Sequence, residues 1–455
     1  MPPAAKPVPS IPTLIAQHRK RGVKYGLATY VDIHGVSKGK IVPIDHWQQM
    51  FRGSELFTGF ALDGVPQQVN EEEVAAHPDP ATATVLPWNK EVAWFASDLW
   101  TAGAPFPACS RVVLKRQVEA AKALGYTLHL GIETEFFLLK DGPDGKPVPT
   151  SARDNLAKPA YDLIGVLDNY PFLDDLVSAM NDLGWDVYSF DHEDAPGQFE
   201  TDFDYADALT MADRFTFFRL LVKELAHKRG AYPTFMPKPF AHLTGSGAHY
   251  NLSLADAKTG KNLFIDAKDK RGCKLSKLGY QFVAGILRHA AAICAVIAPS
   301  VNSYKRLVRR GAASGFTWAP IYQCYGNNNR TNMLRIPLGG GRVECRAADI
   351  GCNLYLGAAM MLAAGLEGVR EGLDPGEPNT DNMYTVPMDE IQRRGISLLP
   401  QNLKEAVDAF AADPLSKQVF GDKLFTAFVD FKNQEWSEYH NHVSDWEMKR
   451  YLKMW

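Results

Sequence analysis

The sequence predicts an α+β protein, with a small β-rich unit at the N-terminus and a larger unit of helices on an antiparallel sheet. Three observations lead there. Strand-like runs rich in β-branched and aromatic residues cluster ahead of a proline- and alanine-rich connector, "TAGAPFPACS" (residues 101–110). Beyond the connector come long helix-like patterns, such as "ADRFTFFRLLVKELAHKRG" and "GCNLYLGAAMMLAAGLEGVREG". Short strand-like stretches lie between those helices.

In chain order, residues 1–12 are rich in proline and read as disordered. "IPTLIAQHRKRGVKYG" reads as a short amphipathic helix, and "LATYVDIHGVSKGKIVP" as a β-hairpin turning through residues 32–39. "GFALDGVPQ" and "TATVLPWNKEVAWFASDLW" supply further strands and loops. These form an N-terminal domain over residues 13–109, and residues 110–455 form the larger domain. The latter opens with the helix "RVVLKRQVEAAKALGY", ending at Gly125, and the strand "TLHLGIETEFFLL". Further strands are expected at "GQFETDF", "GAHYNLSL", "NMLRIPL" and "GRVECRAAD", and a helix over "LSKLGYQFVAGILRHAAAICAVI". No internal repeat is visible.

The 455 residues carry a formal net charge of -3. Without a basic excess the chain is not expected to bind nucleic acid or a membrane surface. Six cysteines without CxxC spacing read as reduced thiols of a cytoplasmic protein. No signal peptide is visible. The most apolar stretch, residues 282–300, is interrupted by Arg288 and His289 and reads as a buried helix rather than a membrane span.

The chemistry starts at "GIETEFFLLK". Side chains at i and i+2 of a strand point the same way, so Glu133 and Glu135 share a face. Two carboxylates held that close repel unless protons or a cation intervene, and a hard divalent ion suits them. E-x-E is a frequent pattern, and alone it fits a solvated strand face better than a metal site. Its company matters more. "FDHEDAPGQFE" adds Glu193 and Glu200, "GSGAHYNLSL" adds His249 beside glycines, and "GRVECRAAD" adds Glu344. Five carboxylates and an imidazole suffice for two metal ions with open positions. Arg306, Arg330, Arg335, Arg342 and Arg346 accompany them, the third and last in apolar strands. Acidic groups that hold Mg²⁺ and arginines that bind phosphate make a phosphoryl-transfer site. The run "LGGGRVE" (residues 338–344) lacks the Gly-Lys-Ser/Thr of a Walker loop and reads as a tight turn before a strand.

From about residue 25 onward the chain resembles the glutamine synthetase family. The ordered motifs "DIHGVSKGK", "FALDG", "GIETEFFL", "HEDAPGQFE", "GSGAHYNLSL", "NSYKRL", "NNNRTNMLRIP", "RVECRAAD" and "DWEMKRYL" carry the likeness. It is nearest to the short bacterial members, including the type III enzymes and γ-glutamylmethylamide synthetases. The resemblance implies an N-terminal β-grasp domain and a catalytic domain whose curved antiparallel sheet forms a funnel. It also implies a dodecamer of two hexameric rings, with sites shared between neighbours. It implies one metal on Glu135, Glu193 and Glu200, and a second on Glu133, His249 and Glu344, with Mg²⁺ or Mn²⁺ as the ion and ATP as co-substrate. Gly245, Arg306 and Arg346 match positions that grip glutamate. Arg330 and Arg335 match positions that stabilise the transferred phosphoryl group, and Arg335, Ser253 and Arg342 lie on the nucleotide side. Asp63 matches the aspartate that reaches a neighbouring subunit's site.

Two positions depart from the family. Ala312 falls where a loop glutamate usually takes a proton from ammonium, and Asn251 falls where a second histidine usually follows His249. Both changes loosen a site built for ammonium, so the expected reaction is ATP-dependent ligation of glutamate to methylamine or another organic amine through γ-glutamyl phosphate. The alternatives are glutamine synthesis from ammonia, a catalytically inactive relative, a metal-dependent amidohydrolase and a nitrogen sensor. The retained ligand-type residues oppose the second, the lack of HxH clusters the third, and the lack of an appended domain the fourth.

Overall fold

The computed structural model describes residues 9–309 and 317–455. Most of the expected disordered N-terminus, and Ala312, lie outside the described residues. The first helix, Ile11–Lys20, starts at the expected residue and so takes residues 11 and 12 out of the stretch expected to be disordered; the Ser10 hydroxyl caps the Thr13 N–H and Pro12 suits the first turn.

The expected hairpin is present: Tyr25–Val31 pairs antiparallel with Ser37–Pro43. Tyr25–Val31 also runs parallel to the long strand Asn89–Thr101, whose apolar run "VAWFAS" is buried on both faces at the sheet centre. Val74–Pro78 and Glu55–Phe57 complete the other side of this mixed sheet.

The second region departs from expectation in one telling way. The single strand expected over "TLHLGIETEFFLL" is two strands, Tyr126–Ile132 and Thr134–Asp141, broken at Glu133. They belong to different sheets. Thr134–Asp141 pairs with Gln198–Phe203, which pairs with Val187–His192. Tyr126–Ile132 pairs with Tyr250–Asp256, which pairs with Val343–Cys345 and through it with Leu334–Ile336. Backbone bonds from Glu133 N–H to the His249 carbonyl (3.3 Å) and from Glu135 N–H to the Gly247 carbonyl (3.4 Å) carry the chain across the seam. The α+β class holds, but the antiparallel surface is divided in two, and the division lies at the first candidate carboxylate.

Helices close the back. Leu354–Glu371 is buried along nearly its whole length and crosses Lys277–Arg288 so closely that a Cβ on Gly368 would lie 2.1 Å from the Gln281 carbonyl oxygen. The apolar stretch expected as one helix is two, Lys277–Arg288 and Ala290–Ile297, bent by 77° at His289. His289 is fixed between Asp413 (2.7 Å) and Glu367 (2.8 Å). No single helix among the described residues is long and apolar enough to cross a membrane. All six cysteines are buried free thiols.

Arg111 fastens the first region to the second. Its guanidinium donates to both oxygens of Asp213 (2.9 and 3.0 Å), to Asp98 (2.8 Å) and to Asp79 (2.9 Å). Asp79 and Asp98 belong to the N-terminal region, and Asp213 to the helix Ala208–His227. Tyr355 on Leu354–Glu371 donates to the same Asp213 at 2.6 Å.

Candidate functional site

The seam at Glu133 opens into a cavity of about 380 Å³. Glu133, Glu135, Glu193, Glu200 and His249 line one part of it, and Gly245, Arg306, Arg330, Arg335 and Arg346 another. Glu344 lies in the wall, with its side chain 1 % exposed. A second cavity of about 300 Å³ adjoins it and shares Glu133; Ser253, Asn251 and Arg342 line that one.

Local structure explains the convergence. Glu135 and Glu200 face each other across paired strands, as do Asp191 and Glu200. Glu133 reaches the same space from the strand break. His249 stands one residue before the strand Tyr250–Asp256, where the expectation had it within the strand. Gly247 makes the approach feasible: a Cβ there would stand 2.7 Å from Arg306 Nη2, 2.9 Å from Glu135 Oε1 and 3.0 Å from His249 Nε2. Its bare N–H instead donates to Glu135 at 2.7 Å.

Two sets present ligand atoms within 4.8 Å of one another: Glu133, His249 and Glu344; and Glu135, Glu200 and His249. The first is the trio expected for one ion. In the second, His249 stands where Glu193 was expected. Glu193 faces the same cavity, but its carboxylate turns back to accept from the Asp194 N–H at 3.2 Å. His249 Nδ1 lies 2.6 Å from Glu133 and 3.8 Å from Glu344.

The acidic wall holds more carboxylate than it can keep ionised. Burial, then repulsion from Glu135 and Asp191, raises Glu193 well above the ordinary range; burial, then Glu193, does the same to Glu200. Burial with Glu135 and Glu133 pushes Asp191 up to about 6, and burial with Glu133 pushes Asp202 up to about 7. Burial would raise Glu133 too, but hydrogen bonds from His249 and Asn251 outweigh it and lower its pKa. Crowded oxygen donors that resist ionising alone are what a divalent cation relieves, so the donor set fits such an ion.

The arginines are held from behind. Glu344 accepts from Arg335 Nη1 at 2.5 Å and from Arg346 Nη1. Arg306, on the short helix Ser303–Arg306, donates to the carbonyls of Ala347 (3.2 Å) and Arg346 (3.1 Å). Fixed guanidiniums opposite a carboxylate cage can bind a polyphosphate and a carboxylic acid at once. Asp63 is not part of this constellation. Its side chain is 64 % exposed, 3.5 Å from His34 in the N-terminal region.

Sequence reasoning passed over several groups here. Asp191 and Asp202 alternate with Glu193 and Glu200 along "SFDHE" and "FETDF", so the i, i+2 rule applied once more finds both. Asp194, Tyr161 and Trp318 also line the cavity. The Trp318 indole N–H donates to Asp194 at 2.8 Å, and its carbonyl accepts from Arg346 at 3.3 Å. Tyr161 and Trp318 have φ of 66° and 56°, left-handed values that bulky residues rarely adopt and that cluster at functional sites.

Comparison with known proteins bears on this geometry. Residues 107–451 match the family model for the glutamine synthetase catalytic domain. A glutamate–methylamine ligase from Methyloversatilis universalis is 44% identical, over 96% of this chain and 97% of the relative. A glutamine synthetase from Rhizobium meliloti is 39% identical, over 94% of this chain and 96% of that protein. The solved structure of a GmaS/ADP complex superposes with a TM-score of 0.89 at 39% identity, covering 96% of this chain and 99% of the other.

Proposed function

The chain belongs to the glutamine synthetase family, and from that membership we propose that it is an ATP-dependent carbon–nitrogen ligase joining the γ-carboxylate of glutamate to methylamine or another small organic amine. The observation that carries the reading is the carboxylate cage facing fixed arginines in a cavity of about 380 Å³, with a second cavity opening from Glu133. The similarity to a glutamate–methylamine ligase supports the choice of amine.

In this reaction a γ-carboxylate oxygen displaces ADP from the terminal phosphorus of ATP and forms γ-glutamyl phosphate. The amine nitrogen then attacks the acyl carbon, phosphate leaves with the electrons of the C–O bond, and the nitrogen gives up a proton. Arg306, Arg346 and the Gly245 backbone hold glutamate. Arg330 and Arg335 balance the charge on the moving phosphoryl group. Ser253 and Arg342 face the nucleotide in the second cavity. Glu133, His249 and Glu344 would hold one Mg²⁺ or Mn²⁺, and Glu135, Glu193 and Glu200 another; such ions offset the negative charge of the phosphates. Alanine at 312 cannot serve as a base, and Asp63 of a neighbouring copy takes that role.

Trp318 and Tyr161 support an alkylated nucleophile. An aromatic face beside a carboxylate suits an ammonium group bearing a hydrocarbon. The exposure of Asp63 supports sites shared between copies in a dodecamer of two rings. The unburied apolar C-terminus, with Trp446 61 %, Leu452 64 % and Trp455 90 % exposed, supports further burial between copies. We place the domain boundary between residues 109 and 110.

The deciding experiment is a panel of ammonia, methylamine, ethylamine and larger amines, read by phosphate release with mass spectrometry of the product. A higher kcat/KM for methylamine than for ammonia, at equal free-base concentration, is expected. Preference for ammonia overturns the amine assignment, and no ADP formation with any amine overturns the ligase.

A further inference from the structure

One face of the strand Tyr250–Asp256 leads from one cavity into the other. His249 stands at its start in the first cavity, Ser253 lines the second, and Asn251 lies between them. Across the sheet Asn251 is paired with Gly131 on one side and Glu344 on the other. The amide reaches past Gly131 to Glu133, two residues further on. The Asn251 amide nitrogen donates to Glu133 Oε1 at 2.9 Å, and its carbonyl oxygen accepts from Arg342 Nε at 2.9 Å.

These two partners fix the orientation of the amide. A carboxylate only accepts and a guanidinium only donates, so the NH₂ must face Glu133 and the oxygen must face Arg342. A carboxylate at this position has no proton for Glu133, and a hydrocarbon satisfies neither partner. The other carboxylate oxygen of Glu133 is held by His249 at 2.6 Å. Asn251 is therefore the second tether on Glu133, and Arg342 is otherwise an exposed side chain in the second cavity.

We propose that Asn251 is a positioning residue that locks the metal-facing carboxylate of Glu133 to the nucleotide-facing guanidinium of Arg342. The inference rests on the proposed function, in which the two cavities take the metal and the nucleotide. Where the sequence comparison reads only the loss of a histidine, the geometry assigns the amide its own task. One neutral side chain sets the pose of a group in each cavity.

The test compares the wild type with Asn251→Ala and Asn251→Leu, the second keeping the side-chain bulk. Mn²⁺ binding is followed by electron paramagnetic resonance without nucleotide. ADP binding is followed by calorimetry in chelator, without metal. Both variants are expected to weaken both ligands by about 10-fold, the scale found when a partner behind a metal ligand is lost. KM for ATP rises, KM for the amine stays as in the wild type, and the melting temperature holds. A merely structural role would move the melting temperature and all KM values together, and that result overturns the inference. So does a variant that binds both ligands like the wild type, or that loses only one. A wild type that binds neither Mn²⁺ nor ADP overturns the proposed function instead.

Discussion

Trp318→Ala tests whether the indole is the wall that meets the alkyl group of the amine. Trp318 lines the first cavity, is 41 % exposed, and has its indole pinned by Asp194 at 2.8 Å. A methyl group buried against that wall is worth about 0.8 kcal/mol, and about 1.4 kcal/mol corresponds to tenfold in rate. Removing the wall therefore lowers the methylamine-to-ammonia ratio of kcat/KM by about 4-fold, while the vacated space raises the ratio of propylamine to methylamine. Trp318→Phe keeps an apolar face but lacks the N–H donor. It is expected to preserve the ratio and raise KM for every amine, because Asp194 loses its partner. Both replacements leave the backbone carbonyl that receives Arg346. The assay is steady-state phosphate release at matched free-base concentrations. An unchanged ratio in a folded Trp318→Ala enzyme refutes the reasoning.

Three further outcomes follow from the same geometry. Glu344→Gln removes a carboxylate that faces two guanidiniums and stands 3.8 Å from His249; Mn²⁺ affinity by calorimetry is expected to fall by about 100-fold or more. Co-expressed Asp63→Asn and Glu133→Gln chains, each inactive alone, are expected to regain about one quarter of wild-type activity if a site draws Asp63 from one copy and Glu133 from the next; an inactive mixture rules out sharing. His289 loses pKa to burial but gains more from its bonds to Asp413 and Glu367, so its folded value is raised above 6.5. The charged ring thus contributes stability in full below 6.5 and loses it as pH climbs through the raised value. His289→Gln is expected to lower the melting temperature more at about pH 6 than at about pH 9.

Much of the site was readable because its chemistry repeats along strands. Glu133, Glu135, Glu200 and Glu344 declare themselves as charges in apolar runs, and Arg335 and Arg346 as cations in the same setting. The break at Glu133 was not readable, since the apolar pattern runs through it unchanged; only the register with His249 and Gly247 reveals it. Tyr161 and Trp318 sit in irregular segments, where periodicity carries no information and left-handed backbone is invisible. The helix bend at His289 escaped for a related reason. Composition marked the segment as buried, but the turn depends on Asp413 and Glu367, remote in the chain. Asp63 could be placed by motif alone, because its expected role is played in another molecule.

The Arg111 cluster has a consequence for assembly. With Asp79, Asp98 and Asp213 gathered on one cation, the sheet that carries the Asp63 loop cannot swing against the body that carries the cage without pulling Asp79 and Asp98 away from the buried Arg111 guanidinium. Under the proposed sharing of sites, each copy would therefore offer Asp63 to its neighbour at the end of a stiff arm rather than on a tether. In the proposed ring, the alignment of a composite site would be settled inside every subunit before any two of them meet.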